Sequence, residues 1–560
     1  MTISRLIRCA AALALCAAAT AFAQVPLPPP PAPPENPTTA GKVALGKTLF
    51  WEEQLSLTGT VACGTCHRPQ AGGSDPRTPL PGFDSTHPGA NGLFGGEDDI
   101  RASAGVPLHG VDGLYRLSPF FGVTPQVGKR KSPTMINAAF APEVFWDGRA
   151  RSRFDDPISG ATLIAQGGAL ENQALAPLLD TSEMGHVGNV ISDVPARIES
   201  VTPLALAVNV PVDLAAWIGA RNYPALFDEV FGTPSVTPAR IAFAIASYQR
   251  VLNATQTRFD AELAGTPSLT PEERVGREVF VRLQCSVCHA EALHTDNSFR
   301  YIGVRPVTDD LGRFEQTGDP AHRGQMKVPS LRNVGLRAPY MHTGRLATLE
   351  QVVEFYLRGG DFNAPNKDPL IIFRSITGPE RDGLLAYLRN ALTDPRIAAE
   401  APPFDRPRLY IESTRVPTLI GSGVAGGNGF VPVIAAREPP HANNRKFTVS
   451  VHKVANAGVG RVATLVVGHT DPGVQATVPI GDFANLSTTV TAGNFISNGF
   501  ASLQLDLSQD PALVGQTLFG RFYIADPGAA NGLAITQAFR FTVFGVNNSA
   551  ADLILRDGFE

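Results

Sequence analysis

Two short strings constrain this chain more than any other feature of its 560 residues. Each reads Cys-x-x-Cys-His, and the residues are Cys63, Cys66 and His67 in the first string and Cys285, Cys288 and His289 in the second. This spacing is typical of c-type haem attachment, in which both thiols bond to haem vinyl groups and the histidine binds the iron. The sequence therefore predicts two covalently bound haem c groups.

The cysteine count argues against other uses of the strings. Of six cysteines, Cys9 and Cys16 lie in the N-terminal apolar run, and the other four belong to the two strings, so none remains for a disulfide. A redox dithiol or a four-cysteine zinc site would not need a histidine after both pairs.

The N-terminus predicts export. Arg5 and Arg8 precede an apolar run over residues 9–22, and Ala21-Phe22-Ala23 matches a signal-peptidase site. We expect residues 1–23 to be a cleaved signal peptide, too short to span a bilayer, which places the protein in the periplasm or outside the cell. No later stretch predicts a membrane span, and the net charge of −4 gives no reason to expect a nucleic-acid partner.

The chain's organisation predicts a mainly α fold: two cytochrome-c-like haem domains followed by an all-β sandwich-like C-terminal domain. A helix is expected before each string, over residues 40–50 and 271–280 with Thr270 as N-cap, and another over residues 238–264. Short apolar, β-branched runs separated by turns begin at Phe447. The predicted boundaries are 24–38 for a proline-rich linker, 39–264 and 265–398 for the haem domains, 405–547 for the β-domain and 548–560 for a tail.

Residues 132–150 and 328–345, taken with the two Cys-x-x-Cys-His strings in this order, resemble the bacterial dihaem cytochrome c peroxidase family, including its MauG-like branch. The resemblance covers about residues 40–395. It implies an oxidoreductase that acts on hydrogen peroxide. The N-terminal haem would meet the peroxide, the C-terminal haem would handle electrons, and Trp146 would lie between them.

The resemblance also implies a set of residues around the first iron. Gln173, Pro177 and Glu183 match the family's peroxide pocket, with Glu183 as the acid–base group and Asp180 as the weaker alternative. Val123 stands where many of these peroxidases carry a loop histidine on the iron, so the first haem is expected to be open. The alternative is closure by His87 or His109 from the long loop.

For the second iron, the resemblance implies Tyr356 as the sixth ligand, as in the MauG-like branch; Met341 and His342 are the alternatives. The predicted metal ligands are therefore His67, His289 and Tyr356. An anionic phenolate stabilises oxidised iron more than a methionine does. Leu283 replaces a tryptophan that carries electrons to the protein partner of MauG, so the same route to the same partner is not expected.

The remaining cofactor and partner predictions are less specific. Lys131 stands where the family uses an asparagine near a calcium ion, and its cation argues against Ca²⁺ there. The electron donor would be a small cytochrome or cupredoxin, or an oxidisable substrate would take its place. Three alternative functions remain. The protein could be a dihaem oxygenase that acts on an organic polymer, or a dihaem electron carrier. In the third, the main function is the binding of an unidentified partner by the β-domain.

Overall fold

The computed structural model describes residues 27–79, 85–493 and 499–546. The predicted signal peptide and the predicted tail lie outside these residues, as does the start of the proline-rich linker. Within them, no helix combines the length and the apolar character needed to cross a membrane.

Most of the regular secondary structure as far as residue 398 is helical. Their bounds are α1 Ala40–Phe50, α2 Cys63–Cys66, α3 Ala169–Leu179, α4 Asp193–Glu199, α5 Val212–Ile218, α6 Tyr223–Phe231, α7 Pro238–Gln249, α8 Arg258–Leu263, α9 Pro271–Arg282, α10 Cys285–Cys288, α11 Phe314–Thr317, α12 Leu349–Leu357, α13 Gly378–Ala386 and α14 Pro395–Ala398. A π-helical turn, Tyr387–Ala391, extends α13. Thr270 caps α9 as predicted, since its hydroxyl accepts a hydrogen bond from the amide of Glu273.

The helix pairs α1–α7 and α9–α13 repeat the same close crossing. A Cβ atom on Gly46 of α1 would lie 1.9 Å from a carbonyl oxygen of α7, and one on Gly276 of α9 would lie 1.9 Å from a carbonyl oxygen of α13. Each glycine also faces a tyrosine, Tyr248 or Tyr387. Only glycine permits backbones to approach this closely, so the two halves of the chain share an equivalent helix crossing.

The single helix predicted over residues 238–264 is wrong. Helix α7 ends at Gln249, and α8 begins only at Arg258 after a non-helical stretch. Thr257 caps α8, and the distant carboxylate of Asp394 accepts hydrogen bonds from the two amides just before Thr257. These polar partners satisfy the backbone outside a helix, which the local apolar pattern does not reveal.

Short strands punctuate the helical part and dominate the rest. Their bounds are β1 Thr86–His87, β2 Ile100–Arg101, β3 Ala104–Pro107, β4 Pro125–Val127, β5 Phe154–Asp155, β6 Thr162–Ile164, β7 Phe299–Arg300, β8 Met326–Lys327, β9 Thr418–Ile420, β10 Val433–Ala435, β11 Phe447–Val454, β12 Val462–Gly468, β13 Ala484–Thr489, β14 Thr491–Ala492, β15 Gly499–Leu505, β16 Thr517–Ala525, β17 Leu533–Ile535 and β18 Ala538–Thr542.

The strands after residue 417 form two antiparallel sheets. One has the order β10-β11-β15-β14, and the other has the order β13-β12-β16-β18-β9 with β17 beside β16. Val449 and Leu505 of the first sheet share a buried cluster with Leu465 and Phe522 of the second. The two sheets therefore bury one common apolar core.

The segment between the helices and the sheets packs against the first half of the chain. Ile397, Phe404 and Leu409 are fully buried in the same cluster as α1 and α7. The connection to the β-strands is thus anchored on the half that carries His67.

Candidate haem sites

Both Cys-x-x-Cys-His strings line one continuous cavity of about 360 Å³. Its walls are mostly apolar, and the string residues that face it are Cys63, Cys66, His67, Cys285, Cys288 and His289. The four cysteines form no disulfide with one another. Apolar walls around paired thiols and a histidine are what a covalently held haem requires.

The two histidines are held in the same way. Nδ1 of His67 lies 3.2 Å from the carbonyl oxygen of Gly73, and Nδ1 of His289 lies 3.1 Å from that of His294. This leaves Nε2 of each ring as the nitrogen for an iron. Burial lowers the pKa of both rings, so each is neutral, as a ligand must be.

The thiols are set up for thioether bonds more than for a zinc site. Burial raises the pKa of Cys63 and Cys66 to about 12 and that of Cys285 to about 11, so the thiolates that bind zinc are disfavoured. Among the described residues, no group of three or more His, Cys, Asp or Glu side chains is arranged to hold a metal ion. The residues present fit two haem c groups.

Gln173, Pro177 and Glu183 line the cavity together with the first string. Gln173 and Pro177 lie one turn apart on α3 and so share a face of that helix. The side-chain oxygen of Gln173 accepts a hydrogen bond from Nε2 of Gln249 on α7, at 3.2 Å. This bond fixes which atoms of Gln173 remain available to a ligand.

Glu183 lies in the turn that follows α3. The carbonyl oxygen of Asp180 closes the turn by accepting hydrogen bonds from the amides of Glu183, Met184 and Gly185. The Glu183 carboxyl group makes no hydrogen bond to any described residue. Burial raises its pKa to about 7; the Asp180 carboxylate adds to the rise and Arg149 opposes it. A carboxyl group with a pKa near neutrality can both take and return a proton.

Trp146 lines the cavity that the two strings share. Its indole N–H donates to the carbonyl oxygen of Lys131 at 2.7 Å, and the amide of Lys131 donates to the carbonyl oxygen of His342 at 2.7 Å. The rings of Trp146 and His342 are edge-on, with centroids 6.1 Å apart. The backbone of Lys131 thus holds the ring of Trp146 and the main chain of His342.

Tyr356, on α12, faces the second string. Its hydroxyl group has no hydrogen-bond partner among the described residues, and it lines the cavity. Burial, together with the nearby Cys285 and Cys288, raises the pKa of Tyr356 strongly. The protein alone therefore keeps the phenol neutral, and ionisation would need a bound cation.

The alternative ligands for the second iron, Met341 and His342, also line the cavity. Met341 packs on the same buried cluster as Tyr356, and the His342 ring packs against Trp146. Burial lowers the pKa of His342 to about 4, so its ring is neutral.

The histidines predicted as alternatives for the first iron do not line the cavity. His109 is fully buried, with Nδ1 2.7 Å from the carbonyl oxygen of Pro107, and His87 packs against the rings of Phe120 and Phe121. Val123 is buried in a cluster on the β-strand region. The cavity-lining histidines of the described chain are His67, His289 and His342.

Two residues near Glu183 carry no signal in the sequence that would single them out. Gln249 contacts Gln173 across two helices, and Gly105 packs so closely on Glu183 that a Cβ atom there would lie 2.6 Å from the Glu183 Cα. Neither residue belongs to a motif, and only the long-range packing reveals them.

A family profile described as di-haem cytochrome c peroxidase matches residues 40–268. The chain is 30% identical over 372 residues to methylamine utilization protein MauG of Methylorubrum extorquens, covering 65% of this chain and 81% of that one. It is 28% identical over 361 residues to cytochrome c551 peroxidase of Nitrosomonas europaea, covering 63% of this chain and 84% of that one. A crystal structure of a MauG-like protein associated with microbial copper homeostasis aligns with a TM-score of 0.49 and 26% identity, over 70% of this chain and 97% of that one.

Proposed function

Because this chain belongs to the di-haem cytochrome c peroxidase family, we propose that it reduces hydrogen peroxide at an open first haem while the second haem is closed by His289 and Tyr356. It is an oxidoreductase of that family, with two haem c groups. The donor or substrate that it oxidises is unidentified.

The observation that carries the proposal is that different kinds of residue lie near the two Cys-x-x-Cys-His strings. Glu183 is close enough to the first string to raise the pKa of the Cys63 and Cys66 thiols, and it offers an acid–base group but no ligand nitrogen. Tyr356 is close enough to Cys285 and Cys288 for these thiols to raise its own pKa, and it offers a ligand oxygen. An acid–base residue near one string and a ligand near the other support one reactive and one closed haem.

Haem iron, when bound at His67, supplies the redox chemistry that breaks the oxygen–oxygen bond. Glu183 would take a proton from one peroxide oxygen and deliver it to the other, which leaves as water. The bond from Gln249 directs the Gln173 amide group, so Gln173 would orient the peroxide, and Pro177 would exclude water from the same wall.

Trp146 would be the bridge for electrons between the two sites. It lines the shared cavity, and the hydrogen bond to Lys131 fixes the plane of its ring. A fixed aromatic ring between two redox groups shortens the distance that an electron must cross.

The proposal extends to location and domains. We infer that residues 1–23 direct export and are removed, that residues 39–264 and 265–398 are the two haem domains, and that residues 405–547 form a β-sandwich domain with its own, unidentified partner. The electron donor would be a small cytochrome or cupredoxin. Lys131, which is buried and donates to Ser74, stands where the family uses an asparagine near calcium, and this argues against a calcium ion there.

Low-temperature electron paramagnetic resonance of the ferric protein tests the central claim. We expect one high-spin and one low-spin haem, since the first iron has no protein sixth ligand and the second has Tyr356. Two low-spin signals would contradict the open site and favour an electron carrier. Turnover of an organic polymer with dioxygen, and none with peroxide, would favour the oxygenase reading.

Tyr356→Phe should change the low-spin signal, because it removes the ligand oxygen and keeps the ring. Tyr301→Phe is the matched control: Tyr301 lines the same cavity, but its hydroxyl group donates to the Arg305 carbonyl oxygen at 2.8 Å. If Tyr356→Phe leaves the signal unchanged, Tyr356 is not the ligand, and His342→Gln and Met341→Leu then distinguish the remaining candidates.

A further inference from the structure

The turn that carries Glu183, residues 180–187, is held from behind by a hairpin, residues 104–127, which begins with β3 and ends with β4. Gln126 donates from Nε2 to the carbonyl oxygen of Thr181 at 2.7 Å. The carbonyl oxygen of His109 accepts a hydrogen bond from the amide of Val187 at 2.9 Å. The hairpin therefore contacts the turn near both ends of the turn, at Thr181 and Val187.

The same hairpin closes on the middle of the turn at Gly105. A Cβ atom there would lie 2.2 Å from the carbonyl oxygen of Ser182 and 2.4 Å from that of Glu183. These are closer than any side chain permits, so backbone lies directly on backbone. The position of the Glu183 backbone is thus set by the position of the hairpin.

The outer end of the hairpin rests on the C-terminal strands. Nε2 of Gln504, on β15, donates to the carbonyl oxygen of Asp112 at 2.6 Å. The hydroxyl group of Thr448, on β11, donates to the carbonyl oxygen of Gly113 at 3.1 Å. Side chains of two neighbouring strands of one sheet thus donate hydrogen bonds to two consecutive carbonyl groups of the hairpin.

Apolar packing joins the same two parts. Tyr115 and Val123 of the hairpin are essentially inaccessible to solvent and form one buried cluster with Ala435 of β10, against which Phe500 of β15 packs. The amide of Tyr115 also donates to the hydroxyl group of Ser502 at 3.1 Å. The contact is therefore a packed, desolvated interface rather than a few surface hydrogen bonds.

Within the hairpin, the two contact surfaces are directly linked. Tyr115, which packs on the sheet, is the antiparallel bridge partner of His109, which accepts from Val187 of the turn. A displacement of the sheet would move Tyr115, then His109, and then the turn. The path consists of the Tyr115 contacts with the sheet, the His109–Tyr115 bridge and the backbone hydrogen bond to Val187.

We propose that the C-terminal β-strand region is part of the peroxide site: through the hairpin 104–127 it positions Glu183 over the first haem. This inference rests on the proposed acid–base role of Glu183. It assigns the strand region a positioning role in catalysis, beyond any partner that it binds. Weaker hydrogen bonds from the C-terminal strands to the hairpin would let the turn open and admit water around the Glu183 carboxyl group.

The test is a double variant of the full-length holoprotein, Thr448→Val with Gln504→Ala, which removes both side-chain donors to the hairpin and leaves the apolar cluster in place. We expect hydrogen exchange at the Val187 amide to become about tenfold faster. We also expect the pH midpoint of the peroxide reaction to fall below that of the parent protein, because a solvated carboxyl group returns toward its ordinary pKa.

The matched control is Thr464→Val with Ser487→Ala, which removes an exposed hydroxyl pair, 2.9 Å apart, on the other sheet. It should change neither quantity. Unchanged exchange at Val187, or faster exchange with an unmoved pH midpoint, would overturn the inference. A pH midpoint that persists in Glu183→Gln would instead overturn the proposed function, whatever the double variant does.

Discussion

Trp146 and His342 occupy equivalent positions in the two halves of the chain, and their rings contact each other in the shared cavity, with centroids 6.1 Å apart and planes at 62°. The residue before each, Phe145 or Met341, has a φ near +70°. An isolated antiparallel bridge closes each surrounding loop. The duplicated loop has therefore kept its shape while the ring at its tip changed, so that an electron-rich indole faces a neutral imidazole.

The pH dependence of the peroxide reaction should report Glu183. Its pKa near 7 predicts a rate that rises as pH increases through 7, because only the carboxylate can accept the first proton. Glu183→Gln should remove this rise of the rate with pH and lower the rate by about 10²–10⁴-fold. Stopped-flow absorbance with varied pH measures both, and absorption spectra identical to those of the parent protein show that the haems are intact.

Two residues near Glu183 should shift the midpoint of this pH dependence in opposite directions. Asp180→Asn should lower the midpoint, since it removes a negative charge that raises the pKa of Glu183, and Arg149→Gln should raise it by removing a cation. Midpoints that move in the same direction in both variants would show that the pH dependence belongs to a different group.

Trp146→Phe should slow electron transfer between the haems without slowing the first reaction with peroxide. The smaller ring loses the hydrogen bond to Lys131 and no longer fills the contact with His342. Trp217→Phe is the control, because Trp217 bonds to Glu229 on α6, away from the cavity lining. Rapid-mixing spectroscopy that resolves the two haems measures the rate, and equal rates in both variants would exclude Trp146 as the bridge.

Glu438 should make the protein less stable as pH rises. Burial raises its pKa in the folded protein to about 8 from an ordinary value of 4.5. A carboxyl group with a raised folded-state pKa contributes stability that is complete below pH 4.5 and is lost as pH rises through 8. The loss amounts to several kcal/mol at most.

Denaturant unfolding between pH 5 and 8 measures this slope. Glu438→Gln should flatten it, since the amide cannot ionise. Glu380→Gln is the control, because the pKa of the exposed Glu380 is lowered, so that group stays ionised throughout this window. An unchanged slope in Glu438→Gln would mean that other groups set the pH dependence.

Gly276→Ala should destabilise the second half by about 1–3 kcal/mol or more, because the new methyl group would strike a carbonyl oxygen of α13. Gly378→Ala is a matched control in the same helix pair, since a Cβ atom there meets nothing within 4 Å. Thermal unfolding compares the two, and a similar melting temperature for both variants would show that α9 and α13 can separate without cost.

Local patterns carried most of what the sequence could predict. The Cys-x-x-Cys-His strings, the Thr270 cap and the shared helix face of Gln173 and Pro177 all depend on residues a few positions apart. The contact between the hairpin 104–127 and the turn of Glu183 does not depend on such local patterns. Gly105 is 78 residues away from Glu183 in the sequence, and only packing brings them together. The break after α7 was missed for the same reason, since Asp394 supplies its hydrogen bonds from far along the chain.

Lys131 holds Trp146 and His342 with its backbone, while its buried side chain donates to Ser74 and has a pKa lowered to about 7. Geometry and charge are thus assigned to different atoms of one residue. A substitution at this position can alter the electric field between the two redox centres and leave their spacing fixed. Position 131 is therefore a place where evolution, or a protein engineer, can adjust driving force independently of distance.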